Sequence, residues 1–419
     1  MNPFPFFERR GGALHVEEVA LADIAAAHGT PCYVYSRAAL KSAWREFTAE
    51  LAGRDALVCY AMKANSNLAV LDTFAQMGAG FDIVSGGELA RVIAARGDPG
   101  KVIFSGVGKT SAEIEFALAN GIYCFNIESA PELERINQVA LASGRVAPIS
   151  FRVNPDVDAR THPYISTGLK ESKFGVELGA AADLYRQAAS LQGVRIEGID
   201  CHIGSQLTDT SPLFEALEKM LAMIDALARG NIAIKHLDLG GGLGIRYDKE
   251  TPPDPRHYMR EVIRRVGDRK LKLMFEPGRN LVGNAGVLLS RVEYLKTGIA
   301  KNFAVIDAAM NDFLRPSLYA AHHEILPLRD RAGTDRRVDV VGPVCESADF
   351  IGKNRMLGVE PGDLVAVMSA GAYGMVMASN YNSRPRAAEV MVDGDQAYVV
   401  RRRERVEELF AMESLAPSD

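Results

Sequence analysis

The sequence predicts a (β/α)8 TIM barrel followed by an all-β domain of the β-sandwich or Greek-key type. Two observations carry this prediction. Eight short apolar runs alternate with helical patterns over roughly 220 residues, which is close to the size of such a barrel. After about Gly283 the helical periodicity fades, and short valine-rich segments bounded by Gly, Pro and Asp turns take its place. The predicted fold class is therefore α/β plus all-β.

The chain begins with strand-like segments over 11–35, interrupted by a short apolar helix near 19–28. Ser36 is a suitable N-cap for the helix that follows. The first apolar run of the alternation, 56–61, leads directly into Lys63. The other seven runs are 80–84, 102–104, 123–125, 148–153, 198–202, 236–239 and 271–275.

The domain boundaries follow from where this alternation starts and stops. A doubly wound sheet would also alternate strands and helices, but eight equal units without a break at the midpoint favour a closed barrel. We predict that the barrel spans 36–283. We expect 1–35 plus 284–419 to form the β domain, which contributes substrate-binding and proton-donor residues.

Composition excludes several classes of function. The 48 basic and 53 acidic residues give a net charge of -5, so nucleic acid and anionic membrane are not expected partners. The five cysteines are scattered without a C-x-x-C pair, which argues against a disulfide framework and a structural zinc site. We see no signal peptide and no apolar run long enough to span a bilayer, so we expect a cytoplasmic protein.

Polar residues stand at seven of the eight predicted strand ends, and a triple glycine stands at the other. Active sites of (β/α)8 barrels lie at the carboxyl ends of the strands, so these side chains should converge. In order, the ends carry Lys63, Asp82 with Ser85, Ser105 with Gly106, Asn126 with Glu128, Arg152 with Asn154, His202, Gly240 to Gly242, and Glu276. One polar strand end is unremarkable, but eight ends that supply these groups together indicate a site.

Each element of this set has a plain structural interpretation when it is taken alone. Lys63 is then most simply a lysine whose charge reaches water along its own stem, and the alternative is an amine that forms a Schiff base. The GGGLG run at 240–244 is either a tight turn or an anion cradle. Taken alone, Glu276 to Arg279 is most simply a loop ion pair, and His202 is most simply a structural histidine. Together, an amine, a phosphate cradle, a carboxylate for a ring nitrogen and a stacking imidazole predict pyridoxal 5′-phosphate.

The motifs resemble those of the alanine-racemase-fold, pyridoxal-phosphate-dependent decarboxylases, the group that includes ornithine decarboxylase. The barrel motifs that carry this resemblance are YAMKAN at 60–65, HIGSQ at 202–206, GGGLG at 240–244 and EPGR at 276–279. Further motifs are similar to the diaminopimelate decarboxylases within that group: HPYISTG at 162–168 through KFG at 173–175, GPVCES at 342–347, GAYG at 371–374 and NYNSRPR at 380–386. The resemblance runs from about residue 30 to 410 in unbroken order.

The resemblance implies the fold above and a role for each matching residue. Lys63, Cys345, His202 and Glu276 would be catalytic: Lys63 attaches the cofactor, Glu276 pairs with its ring nitrogen, His202 stacks on its ring, and Cys345 donates a proton. The expected cofactor-binding residues are Lys63, Asp82, Arg152, His202, Ser205, Gly240, Gly241, Gly242, Glu276, Pro277, Gly278, Arg279 and Tyr373. The expected substrate-binding residues are Arg279, Arg315, Tyr319, Glu346 and Tyr373. No metal is expected.

The resemblance also implies an obligate homodimer, in which Cys345 and Glu346 reach the site of the second subunit. Diaminopimelate carries a distal carboxylate and a distal ammonium, and a pocket with Arg315 and Glu346 matches both charges. We therefore expect decarboxylation of meso-2,6-diaminopimelate to L-lysine. Two alternatives remain open at this point: a decarboxylase or racemase of the same fold acting on ornithine, arginine or carboxynorspermidine, and a pyridoxal-phosphate-binding protein without catalysis.

Overall fold

The computed structural model describes residues 4, 6–158, 173–330 and 335–417. The motif at 162–168 therefore lies outside the described residues. Two compact units can be distinguished. We call Lys41–Ile245 with Glu250–Leu281 the barrel unit, and Met1–Leu40 with Arg246–Lys249 and Val282–Asp419 the second unit. The divisions at Leu40 and Leu281 fall a few residues from the predicted boundaries, and Arg246–Lys249 is a segment that the sequence prediction did not assign to the second unit.

The barrel unit contains a closed barrel of eight parallel strands. These are β5 (Ala56–Ala61), β6 (Gly80–Ile83), β7 (Val102–Phe104), β8 (Cys124–Ile127), β9 (Ala147–Asn154), β11 (Val194–Asp200), β12 (His236–Asp238) and β13 (Lys272–Phe275), and β10 (Val176–Glu177) adds a short pairing to β9. The ring closes because the last strand pairs with the first, with Leu273 opposite Ala56 and Phe275 opposite Val58. Most residues of these strands are buried, as expected for strands covered on both faces. The predicted barrel is confirmed.

Helices alternate with the strands of the barrel, and a few more helices lie in the second unit. In chain order, the α-helices of the described residues are α1 (Leu21–His28), α2 (Arg37–Thr48), α3 (Leu68–Gln76), α4 (Gly86–Ala94), α5 (Ser111–Ala119), α6 (Ala130–Ala142), α7 (Leu178–Ala189), α8 (Ser211–Arg229), α9 (Pro255–Val266), α10 (Arg279–Val282) and α11 (Arg315–Tyr319). None of them is long and apolar enough to cross a membrane.

Capping residues fix where the loops at the strand ends turn into helices. Asn67, Ser85, Thr110 and Ser129 each accept a backbone N–H of the first helical turn, at the starts of α3, α4, α5 and α6. Such a cap satisfies one otherwise unpaired donor, and its loss typically costs about 1 kcal/mol. Each loop between a strand end and its helix is therefore short and defined, which holds the polar strand ends in place.

The second unit is built mainly from antiparallel strands. They are β1 (Phe7–Arg10), β2 (Ala13–Val16), β3 (Val19–Ala20), β4 (Cys32–Ser36), β14 (Gly286–Lys296), β15 (Phe303–Ile306), β16 (Ile325–Pro327), β17 (Arg336–Val341), β18 (Phe350–Leu357), β19 (Leu364–Val367), β20 (Ala388–Asp393) and β21 (Gln396–Arg401). The sheet runs β18-β17-β15-β14-β4-β20-β21, and β14 also pairs with β19. Two pairs, β15 with β17 and β4 with β20, are parallel. The predicted fold class is confirmed.

Candidate active site

Lys63 and Asp82 form an ion pair at the ends of two neighbouring barrel strands. Asp82 lies opposite Ala61 in the β5–β6 register, and Lys63 follows two residues later. The Lys63 Nζ atom is 2.9 Å from Asp82 Oδ2, and the Asp82 side chain is fully buried whereas 38% of the Lys63 side chain is exposed. Lys63 is therefore held by a buried carboxylate, which distinguishes it from a lysine that only reaches for water.

Glu276 lies in a cluster of buried carboxylates. Oxygen atoms of Asp200, Asp238 and Glu276 all lie within 4.8 Å of one another. Burial, followed by the negative charges of Asp82 and Asp238, raises the pKa of Glu276 well above its usual value. Burial likewise raises the pKa of Asp238 to about 7. The cluster therefore favours any group that brings a positive charge.

The triple glycine loop contacts His202. Gly241 donates its backbone N–H to His202 Nδ1 at 3.2 Å, so this nitrogen is unprotonated and the neutral ring carries its proton on Nε2. A Cβ at Gly240, where φ is +62°, would lie 2.6 Å from the same Nδ1, and one at Gly241 would lie 2.3 Å from the carbonyl oxygen of Glu276. Burial and the positive charges of Arg152 and Lys63 lower the pKa of His202 well below its usual value. His202 therefore stays neutral at pH 7.

The segment after β13 lies against the end of β5. Pro277 accepts the backbone N–H of Ala61 at 3.0 Å, and a Cβ at Gly278 would lie 3.2 Å from the carbonyl oxygen of Ala61. Arg279 is buried, and its Nε and Nη2 atoms lie 3.3 and 3.0 Å from Ser205 Oγ. A guanidinium, a hydroxyl and close-packed glycines thus lie near each other in a geometry typical of anion binding.

Arg152, on β9, connects several strand ends. Its Nη1 atom is 3.4 Å from Glu128 Oε1, its Nη2 atom is 3.5 Å from the carbonyl oxygen of His202, and its guanidinium lies 4.8 Å from the centre of the Phe174 ring. Glu128 also accepts the backbone N–H of Gly175 at 3.0 Å. Arg152 therefore supports the backbone that presents His202.

The remaining predicted residues lie in the second unit. Arg315 is buried and lies over the Tyr319 ring, whereas Cys345 and Glu346 are exposed. Asn382 Oδ1 accepts the Cys345 backbone N–H at 3.1 Å, and Tyr381 donates its hydroxyl to Glu346 at 2.6 Å. Tyr373 has a left-handed backbone, with φ of 54°.

A family model and two similar relatives agree on the family of this chain. A family model described as the pyridoxal-binding domain of pyridoxal-dependent decarboxylases matches residues 37–283. The diaminopimelate decarboxylases of Pseudomonas aeruginosa and Vibrio cholerae are 57% and 56% identical to this chain, and each alignment covers 98% of this chain and 99% of the relative. The chain belongs to the diaminopimelate decarboxylase family.

A solved structure of this family shares the fold. The crystal structure of diaminopimelate decarboxylase from M. jannaschii in complex with L-lysine has a TM-score of 0.94 and 35% identity, covering 100% of this chain and 99% of that chain. The corresponding Helicobacter pylori enzyme, also complexed with L-lysine, has a TM-score of 0.90 and 41% identity over 94% and 98% of the two chains. Members of the family depend on pyridoxal phosphate, as the sequence analysis predicted.

The barrel residues fit this cofactor. Buried oxygens of Asp82, Asp200 and Asp238 have no hydrogen-bond partner among the described residues. A protonated ring nitrogen beside Glu276 would add a positive charge next to these carboxylates. The glycines of the loop pack too closely against protein atoms to admit a Cβ, so the loop presents bare backbone, as expected where a phosphate approaches it.

Sequence reasoning missed three carboxylates. Asp200 and Asp238 interrupt apolar strands two residues before His202 and Gly240, and a buried carboxylate inside an apolar run was the available signal. Glu88 is on α4 and accepts the Val84 backbone N–H at 2.6 Å, and burial raises its pKa to about 7. The sequence marks Glu88 only as the last residue of the S-x-x-E pattern at 85–88, which predicts a helix start and no site.

Proposed function

We propose that the protein decarboxylates meso-2,6-diaminopimelate to L-lysine and CO2, the final step of lysine biosynthesis. The observation that carries this proposal is the barrel mouth, where Lys63, Glu276, His202 and the glycine loop are arranged together in a chain 57% identical to a diaminopimelate decarboxylase. The Cys-Glu pair at 345–346 and the Arg-x3-Tyr motif at 315–319 favour catalysis over simple binding, because a protein that only binds the cofactor needs neither.

In this proposal, each predicted site residue of the barrel unit has a role in holding or activating the cofactor. Bound pyridoxal phosphate supplies an electron-withdrawing ring, which stabilises the negative charge left when CO2 departs. Lys63 would attach the cofactor, and Glu276, within its carboxylate cluster, would keep the ring nitrogen protonated. The neutral His202 would lie against the ring, and Ser205, Arg279 and the glycine loop would bind the phosphate.

The second unit selects the substrate and returns the proton. Arg315, with Tyr319 and Tyr373, binds the distal carboxylate, and Glu346 binds the distal ammonium. Cys345 would serve as the proton donor through its thiol. Ornithine and arginine lack the distal carboxylate, so they would not offer Arg315 the carboxylate that diaminopimelate does.

A homodimer with shared sites completes this proposal. The exposure of Cys345 and Glu346 supports it, because a group that acts on the site of a second copy must lie at the surface of its own copy. We also propose a cytoplasmic location, since the substrate is a small amino acid and the balanced net charge of -5 suggests no membrane partner.

Two measurements test the function. CO2 release from meso-diaminopimelate should exceed release from ornithine, arginine and carboxynorspermidine, and equal rates would contradict the assigned specificity. Mixing the inactive Lys63→Ala and Cys345→Ala variants should restore about a quarter of the wild-type rate, because random exchange gives half the dimers one intact site. A mixture that stays inactive despite subunit exchange would contradict shared sites.

A further inference from the structure

Arg315 contacts Tyr247 and His323, two side chains that have no assigned role. It begins α11, and only 5% of the residue is exposed. Its guanidinium carbon lies 5.0 Å from the centre of the Tyr247 ring and 5.6 Å from that of Tyr319. Its Nε atom donates to Nε2 of His323 at 3.3 Å. Two aromatic faces and one histidine therefore define the plane of the guanidinium.

Two hydrogen bonds fix the tautomer of His323. Its Nδ1 atom lies 2.9 Å from the carbonyl oxygen of Met368, and a carbonyl only accepts, so Nδ1 carries the proton. Arginine has no acceptor, so Nε2 must offer its lone pair to Arg315. The imidazole is therefore neutral, with both ring nitrogens committed to opposite partners.

His323 also has little freedom to rotate. It is fully buried, and the rings of Tyr247 and Phe313 pack edge-on against it with centroid distances of 4.9 and 4.6 Å. The close packing of a core penalises any rotation that displaces these rings. Because the imidazole is fixed, the direction of the Arg315 Nε–H bond is fixed as well.

We infer that His323 is a positioning residue for substrate specificity, which orients Arg315 to receive a carboxylate at the distal end of the substrate. This inference rests on the proposed function, in which Arg315 binds that carboxylate. Bidentate pairing between a guanidinium and a carboxylate requires the two planes to match, so a guanidinium held in one plane loses less rotational freedom on binding. His323 acts only through Arg315 and takes no part in proton transfer.

The test compares two ligands that differ in the distal carboxylate. L-Lysine carries it, and 1,5-diaminopentane lacks it. Dissociation constants of both are measured by calorimetry on the holoenzyme of the wild type and of His323→Phe, which keeps a ring but loses both hydrogen bonds. We expect the dissociation constant of L-lysine to rise about tenfold, the scale of one charge-assisted hydrogen bond, and that of 1,5-diaminopentane to stay within about twofold. KM for meso-diaminopimelate should rise more than kcat falls.

Two more variants separate positioning from folding. His323→Gln can still present an oxygen acceptor to Arg315 and should bind L-lysine nearly as the wild type does. His323→Asn can still donate to Met368 but is too short to reach Arg315, so it should behave like His323→Phe. His15→Phe is the matched control, since His15 lies in the same unit and its Nδ1 also contacts a backbone carbonyl, at 3.1 Å.

Three results would overturn the inference: unchanged L-lysine affinity in the Asn variant, equal weakening of both ligands, or identical behaviour of the Gln and Asn variants. Failure of the proposed function would look different. In that case the wild type itself would release no CO2 from meso-diaminopimelate and would show no preference for L-lysine over 1,5-diaminopentane.

Discussion

The carboxylates of the barrel mouth and the Cys345–Glu346 segment of the second unit differ in their exposure. In the barrel unit, Asp82, Asp238 and Glu276 are almost entirely buried, and all predicted cofactor-binding residues except Tyr373 lie within this unit. In the second unit, Cys345 and Glu346 lie exposed on the surface. One chain can preorganise a cofactor site by itself. Exposed groups that determine the reaction, in contrast, act on the site of a second copy in the proposed homodimer. Substitutions in the barrel should therefore affect cofactor binding, and those at Cys345 should affect turnover alone.

The largest effect is expected at Lys63. Lys63→Ala should remove the visible absorbance band of the attached cofactor and lower turnover by about 10³-fold or more, since a covalent attachment and a proton-transfer group are both lost. Absorbance spectra and CO2 release measure this. Lys235→Ala, an exposed lysine of the same unit, is the control. If the Lys63 variant kept both band and turnover, the barrel mouth would not be the cofactor site.

Cys345→Ala tests whether the exposed residues of the second unit affect turnover without affecting cofactor binding. Turnover should fall by about 10²- to 10⁴-fold, the range for losing a general acid, whereas the absorbance band and the cofactor dissociation constant should stay unchanged. The exposed neighbour Ser347 provides the control, as Ser347→Ala. Loss of the cofactor band in the Cys345 variant would show that this exposed segment supports cofactor binding, and the separation of roles would fail.

The sequence predicted the barrel because strand period, helix period and a complete count of eight agreed. It predicted Lys63, His202 and Glu276 because each follows an apolar strand directly. It did not predict Asp200 and Asp238 as members of the same cluster, since their proximity depends on the register between β11, β12 and β13. Nor did it reveal His323 behind Arg315, because that contact depends on side-chain packing within the second unit.

The buried cluster predicts a pH-dependent stability that an exposed site would lack. Asp238 has a pKa of about 7 in the folded protein, against an ordinary value of 3.8, because it is buried. Between these values the folded state holds a proton that the unfolded chain releases, so stability falls as pH rises through this window. Asp238→Asn removes this titration and keeps an oxygen for the Gly240 N–H, which Asp238 accepts at 2.8 Å.

The Asn variant of the cofactor-free protein should gain about 1–3 kcal/mol relative to the wild type between pH 5 and pH 8, in proportion to the pKa shift. Urea unfolding at both pH values measures the difference. Asp55→Asn, at an exposed carboxylate of the barrel unit, is the control. Identical pH dependence in the Asp238 variant and the wild type would mean that Asp238 is already ionised when buried.

The smallest effect is expected at Ser205, where substitution tests which residues bind the phosphate of the cofactor. Arg279 donates to the Ser205 hydroxyl through two nitrogens, so both groups should serve the phosphate. Ser205→Ala should raise the dissociation constant of pyridoxal phosphate about tenfold, while pyridoxal, which has no phosphate, should bind unchanged. Ser190→Ala, at the end of α7, is the control. An equal loss for both ligands would mean that Ser205 supports the barrel mouth as a whole, and the anion site would then reduce to Arg279 and the glycine loop.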